Sequence, residues 1–139
     1  MEDFVTYEQA VQLKELGFDW GCYHYYYKDD KKLCTYSSIG YGDDCRNWND
    51  EYNSAIGDSE CSAPTLAQAQ KWLREKEIEV GVFAKYDGEI RTGKWMWLMR
   101  KFDTHLFDTI FSEDVSYDTY EEALSIGINQ ALELLKEKK

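Results

Sequence analysis

Apolar residues recur at helical spacing in three stretches, and one pattern opens each: Thr, two residues, Glu or Gln, then Ala. The three are Thr6-Tyr7-Glu8-Gln9-Ala10, Thr65-Leu66-Ala67-Gln68-Ala69 and Thr119-Tyr120-Glu121-Glu122-Ala123. This is the capping box, in which the Thr hydroxyl accepts from the N3 amide and the N3 side chain reaches back to the cap amide. The intervals are unequal and the flanks do not match, so the boxes read as convergent capping chemistry and not as a repeat. The first helix is predicted from about Tyr7 to Leu16. Val5 and Ala10 stand where a hydrophobic staple forms. Gly17 supplies a left-handed C′ residue, and Phe18 folds back on Leu13. The second follows Pro64, from about Leu66 to Lys76, with Leu66, Ala69, Trp72 and Leu73 on one stripe. The third runs from about Tyr120 to Lys136. Tyr120, Ala123, Leu124, Ile128, Ala131, Leu132 and Leu135 make its buried face, Ile126 and Leu134 broaden it, and its terminal lysines suit the negative end of the helix dipole.

Between these helices the period changes. Trp20 to Tyr27 is aromatic and β-prone. Lys28 to Lys32 reads as a turn, and Leu33 to Ile39 as the returning hairpin partner. Ile78, Val80, Val82, Ala84 and Tyr86 alternate with Glu79, Gly81, Phe83 and Lys85, a strand with one apolar face. Asp87-Gly88 begins a turn into a strand from Gly93 to Phe102. There Trp95, Trp97 and Met99 oppose Met96 and Leu98, so both faces are apolar. A fifth strand lies within Leu106 to Phe111. Helices segregated from adjacent antiparallel strands define an α+β domain. The expectation is one domain over 1–139, with an about five-stranded, mainly antiparallel sheet and three capped helices packed on it. A long irregular loop spans about 40–62, and loops of that length are often functional.

Composition narrows the function. The chain has 139 residues and a formal charge of −11, which argues against broad phosphate-backbone binding. No apolar run is long enough for a membrane span, and the acidic, polar start is unlike a signal peptide. A cytoplasmic location is therefore expected, with no membrane partner and no direct nucleic-acid partner. Cys22, Cys34, Cys45 and Cys61 contain no C-x-x-C pair and read as reduced thiols, two on strands and two in the loop, with two disulfides, or a metal site of Cys34, Cys45 and Cys61 with His24, as the alternatives.

Catalytic signatures are missing. His24 and His105 form no H-E-x-x-H or H-x-H arrangement, and there is no nucleophile elbow or Gly-rich phosphate loop. Cys22 and His24 share a strand face by spacing, a weak basis for a dyad. Asn47, Asn49, Glu51, Asn53 and Asp58 echo a calcium loop. However, Tyr52 stands where that loop needs Gly, and Asp stands where it needs Glu. No catalytic residue, metal or cofactor is expected. What stands out is aromatic residues beside acids in the loop. The candidate binding residues are Asp43, Asp44, Trp48, Asp50, Glu51 and Tyr52, since Trp and Tyr anchor interfaces and carboxylates attract a basic partner.

The opening Phe4-Val5-Thr6-Tyr7-Glu8-Gln9-Ala10, the Leu13-x-x-Leu16-Gly17-Phe18 stop and the Ser62-Ala63-Pro64-Thr65 entry occur with a matching end. That end is Tyr117-x-Thr119-Tyr120-Glu121-Glu122-Ala123 with Gln130-Ala131-Leu132-Glu133-Leu134-Leu135-Lys136. Together they resemble small uncharacterised proteins of gut-bacterial phages and prophages. The resemblance covers roughly half the chain, lends no catalytic residue, and implies the cytoplasm of an infected or lysogenic bacterium. The reading that follows is a non-catalytic protein-binding accessory of a phage or mobile element, monomeric or homodimeric, whose partner is another protein with a basic surface. Its rivals are a small enzyme with a Cys or carboxylate site assembled by the fold, and a structural or oligomeric module.

Overall fold

The computed structural model describes residues 3–35, 49, 60–101, 109–111 and 115–137. The elements follow in the order α1 (Tyr7–Glu15), β1 (His24–Tyr27), β2 (Leu33–Thr35), β3 (Glu60–Ser62), α2 (Leu66–Glu75), β4 (Ile78–Asp87), β5 (Ile90–Lys101), β6 (Thr109–Phe111) and α3 (Tyr120–Glu137). The fold is α+β. The chain divides into two compact units, Met1–Thr65 and Leu66–Lys139. Among the described residues no helix is long and apolar enough to cross a membrane.

In the first unit, α1 begins and ends as its sequence dictates. Thr6 Oγ1 accepts from Gln9 N at 3.1 Å, and Thr6 N donates to Gln9 Oε1 at 2.8 Å, closing the box. Gly17 has φ +94, Phe18 N donates to Leu13 O and Gly17 N to Lys14 O, the two bonds of a Schellman ending. Val5, Ala10, Leu13 and Phe18 are buried, so the staple and the C-terminal contact both serve the core. The strands form an antiparallel sheet in the order β2-β1-β3. Tyr26 on β1 donates from Oη to Val5 O at 2.7 Å and meets Tyr7 edge-on, while Phe4 lies against His24. The entry to α1 therefore packs on the His24–Tyr26 face.

In the second unit, β4 and β5 form a long hairpin around Gly88-Glu89, where Gly88 takes the left-handed φ of +65 that a tight hairpin turn requires. Val80 pairs with Met99, Val82 with Trp97 and Ala84 with Trp95, so these side chains share one face. Ile78, Val80, Trp97 and Met99 on that face are buried. Gly127 of α3 lies against Val80 and Trp97, and Tyr120 at its start meets Trp95 edge-on, so α3 covers this set. Thr119 Oγ1 caps α3 by accepting from Glu122 N at 3.0 Å. Phe83, Met96 and Leu98 on the opposite face are half-buried. β6 joins the far side of β5, giving the order β4-β5-β6.

Two expectations change. The strands form two three-stranded antiparallel sheets in place of one sheet of about five. Alternation along a strand reveals its faces but not its edges, so local pattern does not say which strands become neighbours. The second change is local to the 40–62 stretch, whose last residues, Glu60–Ser62, are not loop but β3, paired with Tyr25–Tyr27. The two sheets also differ in order, with the first strand central in one and the second strand central in the other. The three capping boxes thus do not mark a repeated topology.

Candidate functional site

Asp43, Asp44, Trp48, Asp50, Glu51 and Tyr52 lie outside the described residues, as does Cys45. Asn49, in the midst of the acidic candidates, is described. Its Nδ2 donates to Phe18 O at 2.8 Å and its Oδ1 accepts from Ser62 N at 2.9 Å. One carboxamide thereby ties this segment to the chain leaving α1 and to β3. Phe18 and Ser62 are both buried, so the tie is made at the core. The calcium-loop echo in which Asn49 would be a ligand gives way to a structural use of the same side chain.

β3 creates a second feature. Tyr25 pairs with Cys34 on one side and Ser62 on the other, and Tyr27 pairs with Glu60. Residues opposite one another in a ladder share a face. Tyr25, Tyr27, Cys34, Glu60 and Ser62 therefore lie together, on the face opposite His24, Tyr26 and Cys61. The Tyr25 and Tyr27 rings are 5.3 Å apart and nearly perpendicular.

Glu60 is the unusual member. Its side chain sits in a residue that is 5% exposed, and its Oε2 has no hydrogen-bond partner among the described residues. Lys14 Nζ reaches β3 but donates to the Glu60 main-chain oxygen, at 3.1 Å. Burial raises the Glu60 carboxyl above its ordinary value, and the Lys14 charge pulls back only in part. Burial also drives the Tyr25 phenol upward, reinforced by a hydrogen bond with Tyr27 and by Tyr27, Cys34 and Glu60 nearby. Tyr26 shifts the same way, first through burial and then through Cys61 and Glu8. This face favours neutral acids, and such a carboxyl keeps its proton to higher pH than an exposed one.

The described thiol and imidazole candidates take structural partners. Cys22 precedes β1, is buried, and donates from Sγ to Trp20 O. His24 packs on Phe4. Cys34 Sγ is directed to Lys32 O at 3.6 Å. Among the described residues, Cys22, Cys34 and Cys61 form no disulfide with one another. Cys61, expected in the loop, is on β3. Among the described residues no group of three or more His, Cys, Asp or Glu is placed to hold a metal ion.

Sequence reasoning missed Glu60. A three-residue Glu-Cys-Ser strand shows no alternation, and the one signal was its position just before the Pro64 helix entry. No protein-family model matches the chain, no curated protein matches it, and no solved structure matches it.

Proposed function

We propose that the chain is a non-catalytic protein-binding accessory of a phage or mobile element, acting in the bacterial cytoplasm on a partner with a basic surface. The observation that supports this reading is the Asn49 tie. Trp48 and Asp50 flank Asn49 in sequence, and its two hydrogen bonds join that point to buried main chain. Acids and an aromatic anchor displayed beside a fixed point lose less conformational freedom on binding than the same residues on a free segment. The formal charge of −11 adds long-range attraction for a cationic surface and repulsion for nucleic acid. The resemblance to phage and prophage proteins supplies the setting.

The test is capture from a bacterial lysate with wild-type protein and with a variant carrying Asp43→Asn, Asp44→Asn, Asp50→Asn and Glu51→Gln. A partner held by the wild type, released by salt and lost by the variant at unchanged thermal midpoint supports the reading. Equal capture by both proteins overturns it.

A second reading, a small enzyme using a fold-assembled carboxylate, is favoured by one observation: Glu60 is buried beside two tyrosines, and its Oε2 has no partner among the described residues. Raised carboxyls of this kind serve as general acids. It ranks second because neither Cys34 nor His24 supplies a nucleophile–base pair on that face.

A further inference from the structure

The β4-β5 hairpin runs past the start of α3. Tyr120, the first residue of that helix, meets Trp95 edge-on with ring centres 5.4 Å apart, while the strands continue to Asp87 and Ile90. Every residue from Tyr86 to Lys94 is exposed. Three residues, Thr92 to Lys94, stand against Lys85 alone, and Thr92 Oγ1 closes this bulge by donating to Lys85 O at 2.8 Å. A bulge re-aims a side chain beside it. Here Arg91 turns back over the Trp95 ring, 5.1 Å from the ring centre. Tyr86 pairs with Arg91 and so shares that face, while Asp87 and Ile90, one step on, take the other.

The result is a row on the stretch of sheet face that α3 leaves uncovered: Tyr86 and Arg91 at the tip, Trp95 behind them, Tyr120 at the helix. Tyr86 is 56% and Tyr120 39% exposed. Trp, Tyr and Arg are the residues that dominate binding energy at interfaces. Arg91 has no carboxylate partner among the described residues. Stacking holds its guanidinium in place and leaves the donor edge free for an acid. The acids at the other end of the row are Glu121 and Glu122, exposed in the first turn of α3.

We propose that this row packs on the same row of a second copy, with the two hairpins antiparallel about a two-fold axis at Trp95. A second copy is chosen on charge and on shape. The cation lies on the tip side of Trp95 and the acids on the helix side. A two-fold axis between them carries Arg91 of each copy to Glu121 and Glu122 of the other, so opposite charges meet twice. Tyr86 of each copy likewise meets Tyr120 of the other. Packed sheets lie about 10 Å apart and a helix is about 10–12 Å across, so the copy's hairpin fits the layer that α3 fills further along. Its tip then abuts the first turn of α3, with Asp87 held on the far face. The other face-to-face arrangement has the hairpins running the same way. It sets Arg91 against Arg91 and drives both α3 helices into one layer, so charge and shape both exclude it.

The experiment is mass measurement by light scattering on the full chain at micromolar concentrations, with dissociation followed on dilution. The wild type should give twice 16.4 kDa. Arg91→Glu should weaken the dimer roughly tenfold or more, since two attractive contacts become repulsive. A protein carrying Glu121→Lys and Glu122→Lys should weaken likewise, with cation now against cation. Mixed in equal amounts, the two variants should form a heterodimer about as tight as the wild-type dimer. The new acid of one then faces the new lysines of the other, and the remaining Arg91 faces the remaining Glu121 and Glu122. A partner of different chemistry on this face would leave the wild type monomeric. That result, an Arg91→Glu protein as tight as wild type, or a mixture of folded variants that stays monomeric would each overturn the proposal. If far-UV dichroism shows the α3 variant unfolded, Tyr86→Ser takes its place, since an exposed side chain is removed. Weakening comparable to that of Arg91→Glu sustains the proposal, and a dimer as tight as wild type overturns it.

Discussion

Gly127 of α3 lies so close to Val80 of β4 that a Cβ on it would stand 2.9 Å from Val80 Cγ1, with Trp97 Cβ next at 3.1 Å. Neither neighbour is the free end of a flexible side chain, and both residues are buried. The glycine sets the distance between helix and sheet.

The first prediction follows from that contact. Gly127→Ala gains about 1 kcal/mol of helix propensity but forces an extra carbon into a closed core, at about 1–3 kcal/mol. Overpacking should win, lowering stability by about 1 kcal/mol in urea unfolding. A more stable variant would show that α3 can lift from β4 without loss.

Glu77 makes the opposite case. It is an exposed, non-glycine residue with φ +67, at the end of α2, where its N–H bonds Arg74 O. This is the position that usually holds Gly, because a Cβ is strained there. Glu77→Gly should stabilise the protein by about 0.5–1 kcal/mol, the strain relieved being partly offset by a more flexible unfolded chain. A lower unfolding midpoint would contradict this.

These two sites show what the sequence could and could not reveal. The Thr6 box, the Gly17 ending, the apolar stripe of α2 and the alternation of β4 are local signals, each set by residues within a few positions. They were readable, but which face of β5 lies beneath α3 was not, because alternation separates Trp95, Trp97 and Met99 from Met96 and Leu98 without saying which set a helix covers. The strained Glu77 was not, because nothing in Lys-Glu-Ile announces a left-handed residue. The split into two sheets was hidden as well, since alternation does not say which strands pair, and β3, a strand of three residues, is too short to show a period. Glu60 became a candidate only when pairing with Tyr27 placed it beside the tyrosines. The role of Asn49 likewise depends on Phe18 and Ser62, distant in the chain.

The thiols should separate by burial. Cys22 and Cys61 are 1% and 0% exposed, while Cys34 is half-buried on β2. Peptide mapping after brief alkylation of the native protein should find Cys34 modified before Cys22 or Cys61. Both buried thiols should react once the chain is unfolded without reductant. Fast native labelling of Cys61 would mean that β3 detaches readily.

Asn49 can be tested without knowing a partner. Asn49→Ala removes the bonds to Phe18 O and Ser62 N, at about 1–3 kcal/mol for polar groups held near the core. Asn49→Asp keeps an acceptor for Ser62 N but sets a carboxylate oxygen against Phe18 O with no hydrogen between them, so its loss should be at least as large at neutral pH. Unchanged unfolding for both would remove the support that the tie gives to the binding reading.

The last prediction concerns pH. The ordinary value for the Glu60 carboxyl is 4.5, and burial raises it in the folded chain. Below 4.5 the carboxyl is protonated in both states, and the fold bears no penalty for it. As pH rises past 4.5 the unfolded chain releases the proton first, so stability falls until the folded carboxyl also ionises, and then levels off. Lys14, Tyr25, Tyr27 and Cys34 are the titratable groups around it, and the shift of Tyr25 is also upward, away from this range. Glu60→Gln keeps the shape and cannot ionise. Its stability relative to wild type should therefore increase with pH above 4.5 and then become constant, read from urea midpoints across the acidic and neutral range. A wild-type minus variant difference that stays flat through that range, or that runs the other way, would show that Glu60 is solvated or paired in the folded protein.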